Sequence, residues 1–206
     1  MVTKESRKEK ERNFRRKIIA DAAERLFSAN TFEFVTMEDI ASEAEFAKGT
    51  LYQYFNSKDD IFAYVICRSI DEICEKIKKE CLSEQTGQES LEKLIAIYYE
   101  YLQERKNLYI SFIRLQLSNA LPEEIVTRVT NSHQQKMKLV QQVIERGLEE
   151  KIFLHEDAQM LLKTIDGIVR GFNFTFISDE YVIDREESIG LIKKVLFGGI
   201  LAKRGR

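Results

Sequence analysis

Apolar residues recur at helical spacing along almost the whole chain, and little in the sequence interrupts them. Ile18, Ala22 and Leu26 run beside Ile19, Ala23 and Phe27 as two adjoining rows, which make one apolar face over 14–29. Comparable patterns cover about 58–82, 89–105, 107–119, 122–149, 156–177 and 186–203. Breakers are scarce: 206 residues hold one proline and nine glycines, too few for a turn-rich β fold. The pattern predicts an all-α chain, long enough to bury a sizeable core. Local signals place the helix starts. Thr36 with Asp39, and Ser57 with Asp60, are spaced as an N-cap and the third helical residue.

The formal net charge of −2 says little about partners. Its distribution says more. Residues 1–17 carry eight basic side chains against three acidic ones, a segment suited to phosphate or simply to solvent. No apolar run reaches the roughly 18 residues of a membrane span, and no apolar segment follows the basic start as in a secretory signal. The expectation is a cytoplasmic protein with reduced thiols and no membrane partner. Cys67, Cys74 and Cys81 are spaced seven apart. On one helix that is a rise of about 10.5 Å, too far for a disulfide or for one shared zinc ion. They lie on one face, which meets either the core or a ligand pocket. His133 and His155 make no metal pattern and are expected at the surface. No metal or cofactor site and no nucleophile–base arrangement is legible, so an enzyme is not expected.

The stretch "TMEDIASEAEFAKGTLYQYFNSKDDIF", residues 36–62, carries the most specific signal. Within it, 37–54 read as two short helices joined by a tight turn, the second about seven residues long. Ile40 and Ala44 are apolar on the first helix, and Ala41 is small where a second helix must cross. Phe46 ends the turn, Leu51 anchors the second helix, and Phe55 anchors its end. That spacing is a helix-turn-helix pattern. With Leu51 and Phe55 inward, Lys48, Gly49, Thr50, Gln53 and Tyr54 fall on the outer side or at the N-terminal end. Lysine and glutamine reach base edges, threonine touches a thymine methyl or a phosphate, and tyrosine hydroxyls and Lys58 suit phosphate oxygens.

These residues resemble the DNA-binding signature of TetR-family transcriptional regulators: a helix-turn-helix ending in Gly-Thr-Leu-Tyr-x-Tyr/His-Phe, then a Ser-Lys-Glu/Asp turn. The resemblance runs from about Ile18 to Phe62. It implies DNA-contact positions at Thr36, Lys48, Gly49, Thr50, Tyr52, Tyr54 and Lys58, with Gln53 as a base reader. One position departs from the usual pattern, which has glycine where this chain has Glu45. A non-glycine residue at positive φ is strained, so either the turn relaxes or the strain is kept.

The resemblance further implies a helix-turn-helix domain over 1–57 and a helical ligand-binding and dimerisation domain over 58–206. Dimerisation would use the last two helices. There Leu161, Ile165, Ile168, Val169, Phe172 and Phe176 make one apolar face, with Gly167 and Gly171 four apart. Ile189, Ile192, Val195, Leu196 and Gly199 make the other. Residues expected near a pocket are Cys67, Cys74, Tyr98, Tyr101, Phe112, Arg114, Phe172 and Phe176. Arg114 sits either on the surface or opposite an anionic ligand, with Asp166 as a structural partner. The implied function is a ligand-responsive repressor. As a homodimer it would bind double-stranded inverted-repeat operator DNA, and a small apolar molecule would release it. The alternative is a dimeric helical ligand-binding or protein-interaction module without operator function.

Overall fold

The computed structural model describes residues 6–83, 86–153, 157–174 and 184–200, without the side chains of 172–174 and 200. Among these residues the regular structure is helical. The helices are α1 Arg7–Ala29, α2 Met37–Glu43, α3 Lys48–Leu51, α4 Lys58–Glu80 and α5 Gly87–Glu104. After them come α6 Lys106–Leu117, α7 Glu123–Glu149, α8 Ala158–Phe174 and α9 Arg185–Ile200. A 3-10 turn covers Phe32–Phe34. None of the described helices is long and apolar enough to cross a membrane.

Helix α1 starts well before the apolar face that announces it. Ser6 is its N-cap: the Glu9 amide donates to Ser6 Oγ at 3.2 Å, and the Ser6 amide donates to the Glu9 carboxylate at 2.8 Å. The basic residues from Arg7 onward are therefore helical. Three helices end alike, with a residue in the left-handed region just past the cap. These are Glu45 (φ 58°), Asn119 (φ 52°) and Lys151 (φ 56°). In each case the next amide bonds back five positions: Phe46 to Ala41 O, Ala120 to Leu115 O, and Ile152 to Gly147 O. This is the Schellman arrangement, built here without the usual glycine.

The chain gathers into two compact units, Met1–Ser69 with Arg105–Asn131, and Ile70–Glu104 with Ser132–Arg206. In the first, Phe27, Phe32 and Phe62 form a ring cluster with centroids 4.6–5.6 Å apart. Ile19, Ile40, Leu51 and Ile61 are buried in the same unit. Each such side chain contributes about 1.5–3 kcal/mol on burial. The Arg16 guanidinium lies over the rings of Phe55 and Tyr64, at 4.6 and 4.7 Å. Arg68 forks onto Asp21 and Glu24 at 2.6 Å each, tying α4 to α1. This framework explains how so short a helix as α3 persists, since alone in water it would not form.

The second unit packs α5, α8 and α9 around residues of α4 and α7, with Ile77, Leu91, Ile95, Val143 and Val169 fully enclosed. Glycine is required at one crossing. A Cβ on Gly87 would lie 2.5 Å from the Gly147 Cα, so the start of α5 meets α7 backbone to backbone. Cys81 and Cys74 are buried in this unit, and burial pushes the Cys81 thiol up to about 11. They behave as small apolar residues.

Candidate functional site

Two regions hold the residues singled out by the sequence, one in each unit. In the first unit the turn between α2 and α3 is fixed from both sides. Thr36 caps α2: the Asp39 amide donates to Thr36 Oγ1 at 3.2 Å, and the Asp39 carboxylate accepts from the Thr36 amide at 2.8 Å. The Thr36 hydroxyl also donates to the Asp39 carboxylate at 2.7 Å, and this bond, with that from the Thr36 amide, holds the Asp39 carboxyl below its usual range. Thr36 itself stays exposed. Glu45 keeps the left-handed conformation, so the strain raised by the sequence is retained rather than relaxed. Its neighbour Phe46 closes the turn onto Ala41 O at 2.9 Å.

Beyond the turn, Leu51 and Phe55 are buried as anchors. Lys48, Gly49, Tyr52 and Gln53 are exposed on the other side, with Thr50 and Tyr54 half-buried. The helical part is shorter than the expected seven residues. It spans Lys48–Leu51 and continues as a turn closed by Gln53 N to Thr50 O and Tyr54 N to Leu51 O. Lys48 pairs with Glu38, which raises the lysine and lowers the carboxylate from their ordinary values. Gly49 is notable because nothing among the described residues requires it. A Cβ there would meet no atom within 4 Å, and its backbone is right-handed. A helical glycine costs about 1 kcal/mol relative to alanine. Its absent side chain becomes useful only when something outside the chain approaches the backbone.

Lys58 sits differently from a free phosphate ligand. Its ammonium donates to Phe32 O and Val35 O at 2.8 Å each and lies 4.1 Å from the centre of the Phe32 ring. It fastens the loop before α2 to the start of α4, and one of its three N–H donors remains.

The expected pocket residues divide between the units. Cys67, Phe112 and Arg114 fall in the first. Phe112 is buried, and the Cys67 thiol faces Arg128 O at 3.9 Å. Arg114 pairs on the surface with Glu33, so its expected link to Asp166 is not formed. Cys74, Tyr98 and Tyr101 belong to the second unit. Phe176, the side chain of Phe172, and His155 lie outside the described residues.

Asp166 has other company, and with it comes a cluster that the sequence reading missed. Tyr98 Oη donates to Asp166 Oδ1 at 2.5 Å, and Arg170 Nε lies 2.7 Å from Asp166 Oδ2. Lys136, only 2% exposed, donates to Tyr98 Oη at 3.0 Å. Its ammonium stands 4.4 Å from the Tyr98 ring centre and 5.7 Å from that of Tyr101. His133 Nε2 is 3.3 Å from the Arg170 guanidinium. His133 is therefore part of this interior cluster and not the surface residue expected. Burial dominates each titration. It pushes Lys136 down to about 8, His133 down to about 4, and the Asp166 carboxyl and Tyr98 phenol up. Lys136 did leave a trace in the sequence. It interrupts the apolar stripe Ile125, Val129, Val140, Ile144 at a position where that stripe calls for another apolar residue.

Residues 19–65 match the family described as bacterial regulatory proteins, tetR family. Over 188 residues the chain is 22% identical to the fatty acid metabolism regulator protein of Bacillus subtilis, covering 88% of this chain and 93% of that one. The fold resembles a transcriptional regulator from Saccharomonospora viridis, solved with choline. The TM-score is 0.81 at 17% identity, over 93% of this chain and 100% of that one. It also resembles FadR of Bacillus subtilis, solved with stearoyl-CoA. There the TM-score is 0.75 at 21% identity, over 89% and 98% of the two chains.

Proposed function

We propose that this chain, which belongs to the tetR family of bacterial regulatory proteins and is not an enzyme, is a repressor released by a small apolar effector. As a homodimer it binds an inverted-repeat operator. The observation that carries the reading is the edge made by exposed Lys48 and Gly49 with half-buried Thr50 beside a capped turn, where a Cβ on the glycine would meet only open space. Thr36, Tyr52, Gln53, Tyr54 and the remaining donor of Lys58 complete the surface offered to DNA.

The dimer uses the outer faces of α8 and α9. Their inner faces are spent on the unit's own core, through Ile165, Val169, Ile192 and Leu196. Outside, Met160, Leu191 and Val195 are exposed, and the space beside Gly167, Gly171 and Gly190 is open to a neighbouring helix. Twofold symmetry then presents two readers about 34–36 Å apart to successive major grooves. Residues 1–57 read DNA, and 58–206 dimerise and hold the effector. An effector of fatty-acyl character is supported by the name of the Bacillus subtilis relative and by the stearoyl-CoA in the FadR structure. It acts through its differential affinity for two arrangements of the dimer, with α4 as the lever because that helix carries residues of both units.

Selection of bound sequences from a random DNA pool tests this reading. Enrichment of an inverted repeat, with binding that weakens with salt by a slope of about −0.9 per phosphate contacted, supports it. No enrichment at low salt from a folded dimer overturns it and favours the ligand-binding module without operator function.

A further inference from the structure

The fold does not choose the charge of its ligand, since similar frames were solved with the cation choline and with stearoyl-CoA. The interior side chains must decide, and here they include a buried ammonium. Asp166 answers Arg170 and Tyr98. Lys136 has three donors, and its described hydrogen-bond partner is Tyr98 Oη. Asp166 attracts it through space, across the Tyr98 hydroxyl that both share, and is already paired with Arg170. Two ring faces complete its surroundings. A buried ammonium is costly, and a methionine at this point of α7 would fill similar space without that cost. A charge kept at such a position marks a functional site more often than a structural one.

We propose that Lys136 is the anchor for an anionic head on the effector, a carboxylate carried on an apolar body. The inference rests on the reading of this chain as an effector-responsive regulator. Lys136 and Arg170 share one described carboxylate, Asp166, so one incoming carboxylate balances the cluster, whereas a phosphate dianion would leave an extra charge buried. A thioester offers only a neutral carbonyl. The body of the effector would have to part the packed core beside Lys136, where Leu102 and Val140 are buried and Tyr101 packs against them. On entry the carboxylate replaces Tyr98 Oη as the acceptor for Lys136. That re-partners α5, α7 and α8 at once, because Tyr98, Lys136 and Asp166 sit one on each.

The test is calorimetric titration of the full chain with free carboxylates from hexanoate to palmitate, the methyl ester of each, decanoyl-CoA and inorganic phosphate. Wild type is expected to prefer an acid over its own ester by roughly tenfold or more. Lys136→Met is expected to erase that preference, and Lys136→Arg, which keeps the charge, to retain it. The arginine arm reads out even if the methionine variant melts. Equal binding of acid and ester by wild type overturns the proposal. So does a preference that survives Lys136→Met, tighter binding of decanoyl-CoA or phosphate than of any acid, or no binding at all. Operator release is scored separately. Acid binding without any effect on the operator complex would break the regulator reading and leave the anchor standing.

Discussion

Both units carry exposed ion pairs, such as Lys48 with Glu38 in the first and Lys78 with Glu75 in the second, but they differ in the charge they enclose. In the first, Lys48 with Glu38, Arg25 with Glu43 and Arg114 with Glu33 are exposed pairs that solvent screens. Its half-buried cation Arg68 is balanced by two carboxylates, and its core is aromatic and aliphatic. In the second, Lys136, Asp166 and Arg170 are drawn inward among tyrosines. A surface that meets a polyanion needs its charges wet and available. A site that selects a small ligand gains from dry ones, because each interaction is stronger away from water. The placement of charge thus separates two tasks that helical periodicity alone does not distinguish.

Four changes would break or sharpen this contrast. The largest effect is expected from Phe62→Ala, which removes the ring shared by Phe27 and Phe32 and costs about 3–5 kcal/mol. Urea unfolding should show the first unit lost early, with DNA binding, while the second survives. A single transition at a lowered midpoint would show that the units unfold as one.

Next is Lys136. An unfolded lysine holds its proton to about 10.5, whereas the folded one releases it near 8. Between those values the unfolded state binds more protons, so raising the pH stabilises the fold, by an amount on the order of 3 kcal/mol. Melting the wild type against Lys136→Met across that window should show a slope present in the first and absent in the second. Parallel curves would mean that the ammonium is not desolvated, and the contrast would lose its main support.

Gly49→Ala is expected to stabilise the first unit by about 1 kcal/mol, since the added methyl meets open space. Operator affinity should fall at the same time. Unchanged affinity in a gel-shift titration would remove Gly49 from the interface. The smallest effect belongs to Glu45→Gly, which relieves a left-handed residue for a net gain of about 0.5–1 kcal/mol and removes a carboxylate near DNA. Losses in both melting temperature and DNA binding would refute this account of the turn.

Much of the first unit was legible because its signals are local. Thr36 and Asp39 are three residues apart and cap one helix, and the spacing of Ala41, Phe46, Leu51 and Phe55 encodes one crossing. Two local features still escape the sequence. Residues 48–54 promised a full helix, but only Lys48–Leu51 is helical before the chain tightens into a turn. The start of α1 is not announced by periodicity, because Ser6 and Glu9 precede any apolar face. Lys58 was legible as a cation but not as a clasp, since its acceptors lie over twenty residues away. The interior cluster was the hardest to see. Tyr98, Lys136 and Asp166 meet across separations of 38 and 68 residues. No local period encodes such a meeting.

Lys136 exposes only 2% of its surface. A solute cannot diffuse onto an atom that solvent scarcely touches. The helices around it must part first, so uptake of an anchored effector runs at the pace of that opening and levels off as effector concentration rises. Departure is gated by the same opening. A promoter governed in this way would follow the sustained level of its signal and pass over brief pulses, which makes the buried ammonium a timing element as well as an anchor.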